Sequence, residues 1–374
     1  MPPARGAISV IVPTYQRAAL LPETLGSLLA QTRPVHEIVV VDDGSTDATK
    51  AAVRAAGGPV RYLRQENAGK SAALNRGLAA ARGDHVWIFD DDDLALPRAA
   101  ELLAGALDAG AEGFAFGRYR RFRARPDGAR TEYGPGYWPE APAPALDALL
   151  DDFHVFQPAC IVRRSAYEAV GPFREDLLRA QDYEMALRLA RRFRGAFVDE
   201  AVFLQREHEG ARGAGADRFA ASASWGRWIA YGAAIFRELR AEAPLSDWAP
   251  EAAAPTPPLH RRLALLRRGA AMARRHLWDE AEADFAAAAE LADGNPPTER
   301  ERDALGRALA GKYGCGPVAA EAALARSLGD ALGRGHWGRS AARALARPLI
   351  WRAREAALAG RAAEAGGHLR ALAI

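Results

Sequence analysis

Cysteine is almost missing from this chain. Cys160 and Cys315 are the only two in 374 residues, and they lie far apart. That excludes a disulfide framework and a cysteine-based zinc site, and it suits a reducing, cytosolic setting. Lysine is nearly as scarce. Lys50, Lys70 and Lys312 are the only three, so the basic charge is almost all arginine, with a net charge of +3. A mild basic excess favours anionic ligands or a membrane surface, but no nucleic-acid recognition motif accompanies it, which argues against a nucleic-acid partner. No stretch approaches the roughly 18 uninterrupted apolar residues of a membrane span. The segment Met1-Pro2-Pro3-Ala4-Arg5-Gly6-Ala7 lacks the apolar region of a signal peptide. A cytoplasmic protein is expected, with contact at the inner face of the membrane as the only membrane role. The glycine-rich turn of a dinucleotide-binding dehydrogenase is also missing, because Pro13-Thr14-Tyr15-Gln16-Arg17 stands where it would fall. A P-loop is absent too.

What is present is a run of four aspartates, Asp90 to Asp93, directly after the apolar stretch Val86-Trp87-Ile88-Phe89. The apolar stretch reads as a buried strand. Four carboxylates at its end repel one another and call for a cation. A divalent metal is the simplest one, since hard cations prefer carboxylate oxygens and bridge to substrate phosphates. The same acids could instead close an ordinary surface turn.

The length predicts two domains. Over the first hundred residues strand-like and helix-like segments alternate. Strands are expected at Ile8–Val12, Ile38–Val41, Val60–Leu63 and before the aspartates, and helices at Ala18–Gln31, after Ser45-Thr46, and at Lys70–Ala81. This βαβα pattern predicts an α/β fold with a mostly parallel sheet flanked by helices. Ligands of such sheets bind beyond the carboxyl ends of the strands. Pro13-Thr14-Tyr15, Asp42-Asp43-Gly44-Ser45 and Asp90 to Asp93 all sit at strand ends and should meet in one crevice. Further on, Phe114–Tyr119, Ala159–Val162 and Ala196–Leu204 read as strands, and Arg164–Val170 and Asp182–Phe193 as helices. Tyr133 to Pro144 reads as a loop over the site.

Val12-Pro13-Thr14-Tyr15, Val41-Asp42-Asp43-Gly44-Ser45-Thr46-Asp47, Asn67-Ala68-Gly69-Lys70 with Asn75, and Phe89-Asp90-Asp91-Asp92-Asp93, in this order, resemble the nucleotide-sugar-binding half of family 2 glycosyltransferases. The resemblance implies a GT-A (Rossmann-like) fold over residues 1–210, with 1–112 as the nucleotide-sugar half and 113–210 as the acceptor half. It implies that Pro13, Thr14 and Tyr15 line the base pocket, that Asp42 accepts from the base, usually uracil, and that Asp43 shapes the loop beside it. Asn67, Gly69, Lys70, Asn75, Asp90 and Asp91 complete the nucleotide-sugar site. Lys70 is a candidate phosphate ligand, and Arg76 is read as a solvated helix charge. Asp90 and Asp92 match the acids of the metal-binding Asp-X-Asp, and Asp93 the acid beside it. His208 is a fourth candidate ligand of a divalent ion, Mn2+ or Mg2+. The stretch Phe156 to Phe173 looks like the segment preceding the catalytic base, which places that base at Asp182, with Glu184 second. Many relatives carry Glu-Asp where this chain has Gln181-Asp182. The implied activity is inverting, metal-dependent transfer of a sugar from a nucleotide diphosphate sugar, most simply a UDP-sugar, to an acceptor hydroxyl. That acceptor is a glycan, lipid-linked sugar, peptide or small molecule. The Gln-X-X-Arg-Trp motif of processive synthases is missing, so the resemblance implies single transfers. A nucleotidyltransferase and a non-catalytic nucleotide-sugar-binding scaffold are the alternatives.

Residues 211–374 are Ala-, Arg- and Leu-rich and read as an α-helical domain. Gly210–Gly215 reads as a joint and Ala243–Pro258 as a proline-rich break. Leu266–Ala292, turning near His276–Asp279, resembles one tetratricopeptide-like hairpin. This domain is a candidate homodimer contact. Its arginine pairs Arg261-Arg262, Arg267-Arg268 and Arg274-Arg275 present either a solvated face or one for anionic lipid head groups.

Overall fold

The structure is a computed structural model. It describes residues 6–125, 129–136, 138–139, 144–207, 224–249, 257–311 and 315–372. Contacts group the chain into two units: 1–149 with 153–221, and 150–152 with 222–374. His208 and the 210–215 joint lie outside the described residues.

In the first unit, β1 (Ile8–Thr14), β2 (Glu37–Asp42), β3 (Val60–Arg64) and β4 (His85–Ile88) form a parallel half-sheet. Every residue of β1, β2 and β4 is buried, as expected of apolar strands covered on both faces. The helices α1 (Leu21–Leu29), α2 (Thr49–Ala56) and α3 (Lys70–Ala80) make the connections. Helix α3 lies so close to β1 that a Cβ on Gly77 would come within 2.4 Å of Ile11 Cγ2.

The strand order is β3-β2-β1-β4-β8-β6-β9-β5. Here β5 is Leu94–Ala95, β6 Phe114–Ala124, β8 Cys160–Arg163 and β9 Gly195–Arg206. The chain runs from β1 outward to β3 and then returns to place β4 on the other side of β1. That reversal opens a crevice at the carboxyl ends of β1 and β4. Beyond β4 the sheet is mixed: β8 runs antiparallel to β4 and β6, while β9 runs parallel to β6 and antiparallel to β5. Strand β7 (Arg130–Pro135) pairs with β6, so the loop expected from Tyr133 begins inside a strand. Helices α4 (Ala99–Asp108), α5 (Ala145–Asp151), α6 (Arg164–Val170) and α7 (Gln181–Arg192) complete this part of the chain. Trp87 anchors the core; its indole donates to Pro158 O at 2.9 Å, and its ring meets Phe89 edge-on at 5.1 Å.

The second unit contains α8 (Ser224–Glu242), α9 (Pro257–Ala273), α10 (Trp278–Ala289), α11 (Glu299–Ala308), α12 (Gly316–Ala320), α13 (Ala322–Ala331), α14 (His336–Leu358) and α15 (Ala362–Ala371). The turn between α9 and α10 falls at His276, in the left-handed region (φ 57°). The arginine pairs are not a free cationic face. Arg262 is 1% exposed and paired with Glu301, and Arg268 binds Asp284 at 2.7 and 2.9 Å. Arg274 donates to Asp151 O at 2.7 Å, and Arg275 lies buried over the Phe236 ring. Two of the six are buried, and Arg268 and Arg274, half-buried, are bonded within the unit, which removes the basis for lipid contact through these four.

Candidate active site

The second motif ties the crevice together. Asp42, at the end of β2, is 1% exposed; its Oδ1 accepts from Ser45 N at 2.8 Å and its Oδ2 from the Tyr62 hydroxyl. Burial and the Asp42 carboxylate push the Tyr62 phenol up to about 12, so it stays a donor. Asp43 accepts from Gln65 Nε2 at 2.8 Å, Ala68 N at 2.9 Å and Gly69 N at 2.8 Å, while Asn67 Nδ2 donates to Asp43 O. The 65–69 loop is thereby fixed just before α3 begins. Gly44 sits at φ 91°, and a Cβ there would come within 3.0 Å of Asn67 N, so the crossing of the two loops needs glycine. The first motif is sewn to the second: Gln16 N donates to Ser45 Oγ, and Gln16 Nε2 to Thr46 Oγ1. Thr14 is buried, and the Tyr15 ring is 40% exposed at the strand end.

The fixed loop delivers Lys70 to the acids. Lys70 Nζ donates to Asp90 Oδ1 at 2.6 Å. An ammonium at a helix N-terminus opposes the helix dipole and needs carboxylates to hold it. Burial lowers the Lys70 pKa, but the carboxylates of Asp90, Asp182 and Asp91 outweigh that and hold it above its usual range. Lys70 thus stands within the field of both the strand-end acids and Asp182, although α3 and α7 are far apart in sequence. Asn75 keeps the two helices in register. Its Nδ2 donates to Phe173 O and Glu175 Oε1, both at 2.9 Å, and its Oδ1 accepts from Phe173 N at 2.8 Å. The Asn75 amide is therefore committed to the segment before α7. Arg188 secures the same segment by donating to the carbonyls of Val170, Gly171 and Pro172 and to both oxygens of Glu184. That commits Glu184 to an ion pair. Asp182, in the first turn of α7, accepts from Tyr183 N at 2.9 Å. Its carboxyl is raised by burial and by Asp90, with Lys70 pulling it back down.

The four aspartates have different surroundings. Asp93 is 4% exposed and accepts from Arg206 N at 2.8 Å; burial and the neighbouring Asp92 and Asp90 raise its carboxyl. Arg206 also donates through Nε to Asp92 O at 2.8 Å, pairs with Glu23, and stacks 4.6 Å over the Phe122 ring. It is the brace of the acidic loop. No sequence pattern marked it, because its partners are contributed by α1, the acidic loop and β6. Asp92 faces the Arg17 guanidinium at 3.6 Å. Burial and the neighbouring Asp92 push the Asp91 carboxyl up to about 7, against the Thr14 hydroxyl and Arg17. Negative charge in this cluster outweighs the cations set against it. Among the described residues, no three His, Cys, Asp or Glu side chains converge to hold a metal ion.

A parallel half-sheet carrying its acids at the strand ends, joined to a mixed half carrying Asp182, defines a GT-A-type α/β protein. Residues 9–171 match the model of Glycosyl transferase family 2. Validoxylamine A glucosyltransferase of Streptomyces hygroscopicus is 35% identical over 154 residues, covering 39% of this chain and 33% of the relative. An uncharacterized glycosyltransferase of Rickettsia conorii is 27% identical over 217 residues, covering 55% and 35%. The chain spans 35% or less of the length of the curated relatives it matches. Among solved structures, S. aureus TarS in complex with UDP-GlcNAc shares the fold, with a TM-score of 0.50, 18% identity, and coverage of 92% of this chain and 91% of that one.

Proposed function

We propose that this protein is an inverting, metal-dependent, non-processive glycosyltransferase. It takes a sugar from a nucleotide diphosphate sugar, most simply a UDP-sugar, and passes it to an acceptor hydroxyl. The observation that carries this reading is the placement of Lys70 in the joint field of Asp90 and Asp182, which sets donor-side acids and a candidate base on one crevice. The glucosyl transfer named for the Streptomyces relative supports a hexosyl donor.

The exposed Tyr15 ring offers a stacking face for the base beside the rigid Asp42–Ser45 loop. Asp182 removes the acceptor proton as the acceptor oxygen attacks C1 from the side opposite the diphosphate. Inversion follows from that single displacement, and an ionised carboxylate is what the step requires. A divalent ion fits the excess of carboxylates. One or two of Asp90 and Asp92 would hold it together with substrate phosphates, which needs no three-residue cage. When bound, it stabilises charge growing on the diphosphate leaving group. Asp93 and Arg206 keep the acidic loop in place.

Calorimetric titration of UDP with manganese, and then with EDTA, tests the donor site. Binding that requires metal is expected, and Asp92→Ala should weaken it about tenfold or more, the loss of one charged ligand contact. Unchanged metal-dependent binding by that variant would refute Asp92 as a ligand; no UDP binding in either condition would refute the UDP donor. A second prediction concerns pH. The rate should fall as acid protonates Asp182, at a higher pH than for an ordinary aspartate, since burial raises that carboxyl. Removing the ammonium in Lys70→Met should shift the acid limb of the rate profile further up in pH. A downward shift would show that Lys70 does not hold Asp182 ionised.

A further inference from the structure

Among the described residues six large hydrophobic residues are exposed, and four of them fall between residues 350 and 369: Ile350, Trp351, Leu358 and Leu369, with exposures of 57%, 62%, 80% and 57%. The first three belong to α14. This helix already buries one apolar face in its own unit, through Trp337, Ala341, Leu345, Leu349 and Ala356. The residues Arg343, Arg347, Ile350, Arg354 and Leu358 are spaced at i, i+4, i+7, i+11 and i+15, and all five are exposed. At 3.6 residues per turn they fall on one stripe, with Trp351 at its edge. The helix therefore exposes a mixed face, in which Ile350, Leu358 and the neighbouring Trp351 are interleaved with three guanidinium groups. Glu355 is the one acid close to it on α14.

We infer that this face of α14 docks on the surface of an anionic bilayer. Exposed Trp, Ile and Leu contribute nothing to a helix that stays in water, whereas the acyl–headgroup boundary takes them up. The interleaved arginines match anionic head groups in charge, and the two signals together give reversible interfacial binding. A second copy of the same chain fits less well. A two-fold contact through this stripe would set the guanidinium groups of one copy against those of the other. The inference is independent of the glycosyl-transfer reading and moves the cationic surface away from the arginine pairs at 261–275, where Arg262, Arg268 and Arg274 are bonded within the unit.

The test is co-sedimentation of the full chain with phosphatidylcholine vesicles, with and without phosphatidylglycerol, at low and high salt. Binding is expected only with phosphatidylglycerol and should decline with salt. Two paired variants, Arg347→Glu with Arg354→Glu and Trp351→Ser with Leu358→Ser, should each weaken it about tenfold or more, with an unchanged melting temperature. Failure to bind phosphatidylglycerol vesicles would overturn the inference, as would paired variants that bind as well as the wild type. A vesicle-free dimer that the Trp351 variant abolishes would also overturn it, and would assign the face to a second copy.

Discussion

Asp182→Asn should cut sugar transfer by about 10²–10⁴-fold, the range for loss of a positioned general base. UDP affinity should stay close to that of the wild type. The amide is isosteric and can still accept from Tyr183 N, so the first turn of α7 keeps its geometry. Only the capacity to take a proton is lost. Initial rates with a responsive donor–acceptor pair, together with UDP titration, decide the matter. Loss of both rate and UDP binding would make Asp182 a structural or ligand residue. The same variant separates the family's chemistry from nucleotidyl transfer, which has no use for a base at this position.

The largest effect on stability is expected at Arg262→Ala, at about 3–5 kcal/mol. Arg262 and Glu301 are each 1% exposed and meet through two contacts, Nε–Oε1 at 2.5 Å and Nη2–Oε2 at 3.3 Å. Arg262 also donates to Leu291 O at 3.0 Å and lies 5.5 Å from the Trp337 ring centroid. Glu301 completes a capping box with Thr298 at the start of α11. Truncating the arginine leaves a buried carboxylate without its counter-charge. The double variant Arg262→Met with Glu301→Gln removes both charges and keeps a residue able to complete the box, so it should regain most of the loss. Thermal denaturation of the wild type and both variants measures this. A double variant as unstable as the single would show that packing, not the stranded charge, sets the cost.

The parallel half of the sheet was legible because its strands are apolar runs of the right length between turn residues, and burial on both faces leaves no alternation to misread. Arg164–Val170 and the helix opening with Asp182 could be read for a related reason: short apolar periods with clear stops. Strand β7 was not legible, since almost all of it is exposed and its sequence lacks alternation. Strand β5 is two residues long and exists only through pairing with β9. At the site, the motifs located the crevice but not the division of labour within it. Asp42, Asp43 and Asn75 have their polar atoms engaged in holding loops, and nothing in their local sequence distinguishes that from ligand binding. Arg206 and Glu23 could not be paired from sequence, because their meeting depends on β9 entering the sheet. Arg262 read as half of a solvated or lipid-facing pair; only the fold shows a carboxylate waiting for it.

The bond from Arg206 N to Asp93 has a bearing on how the protein is made. The acidic loop emerges from the ribosome long before the residue that braces it, and β5 beside the loop lacks its β9 partner over the same interval. A nascent chain stalled before residue 206 would have its parallel strands in hand but no fixed arrangement of aspartates. Synthesis in the N-to-C direction therefore leaves the acidic loop to be braced late, by β9.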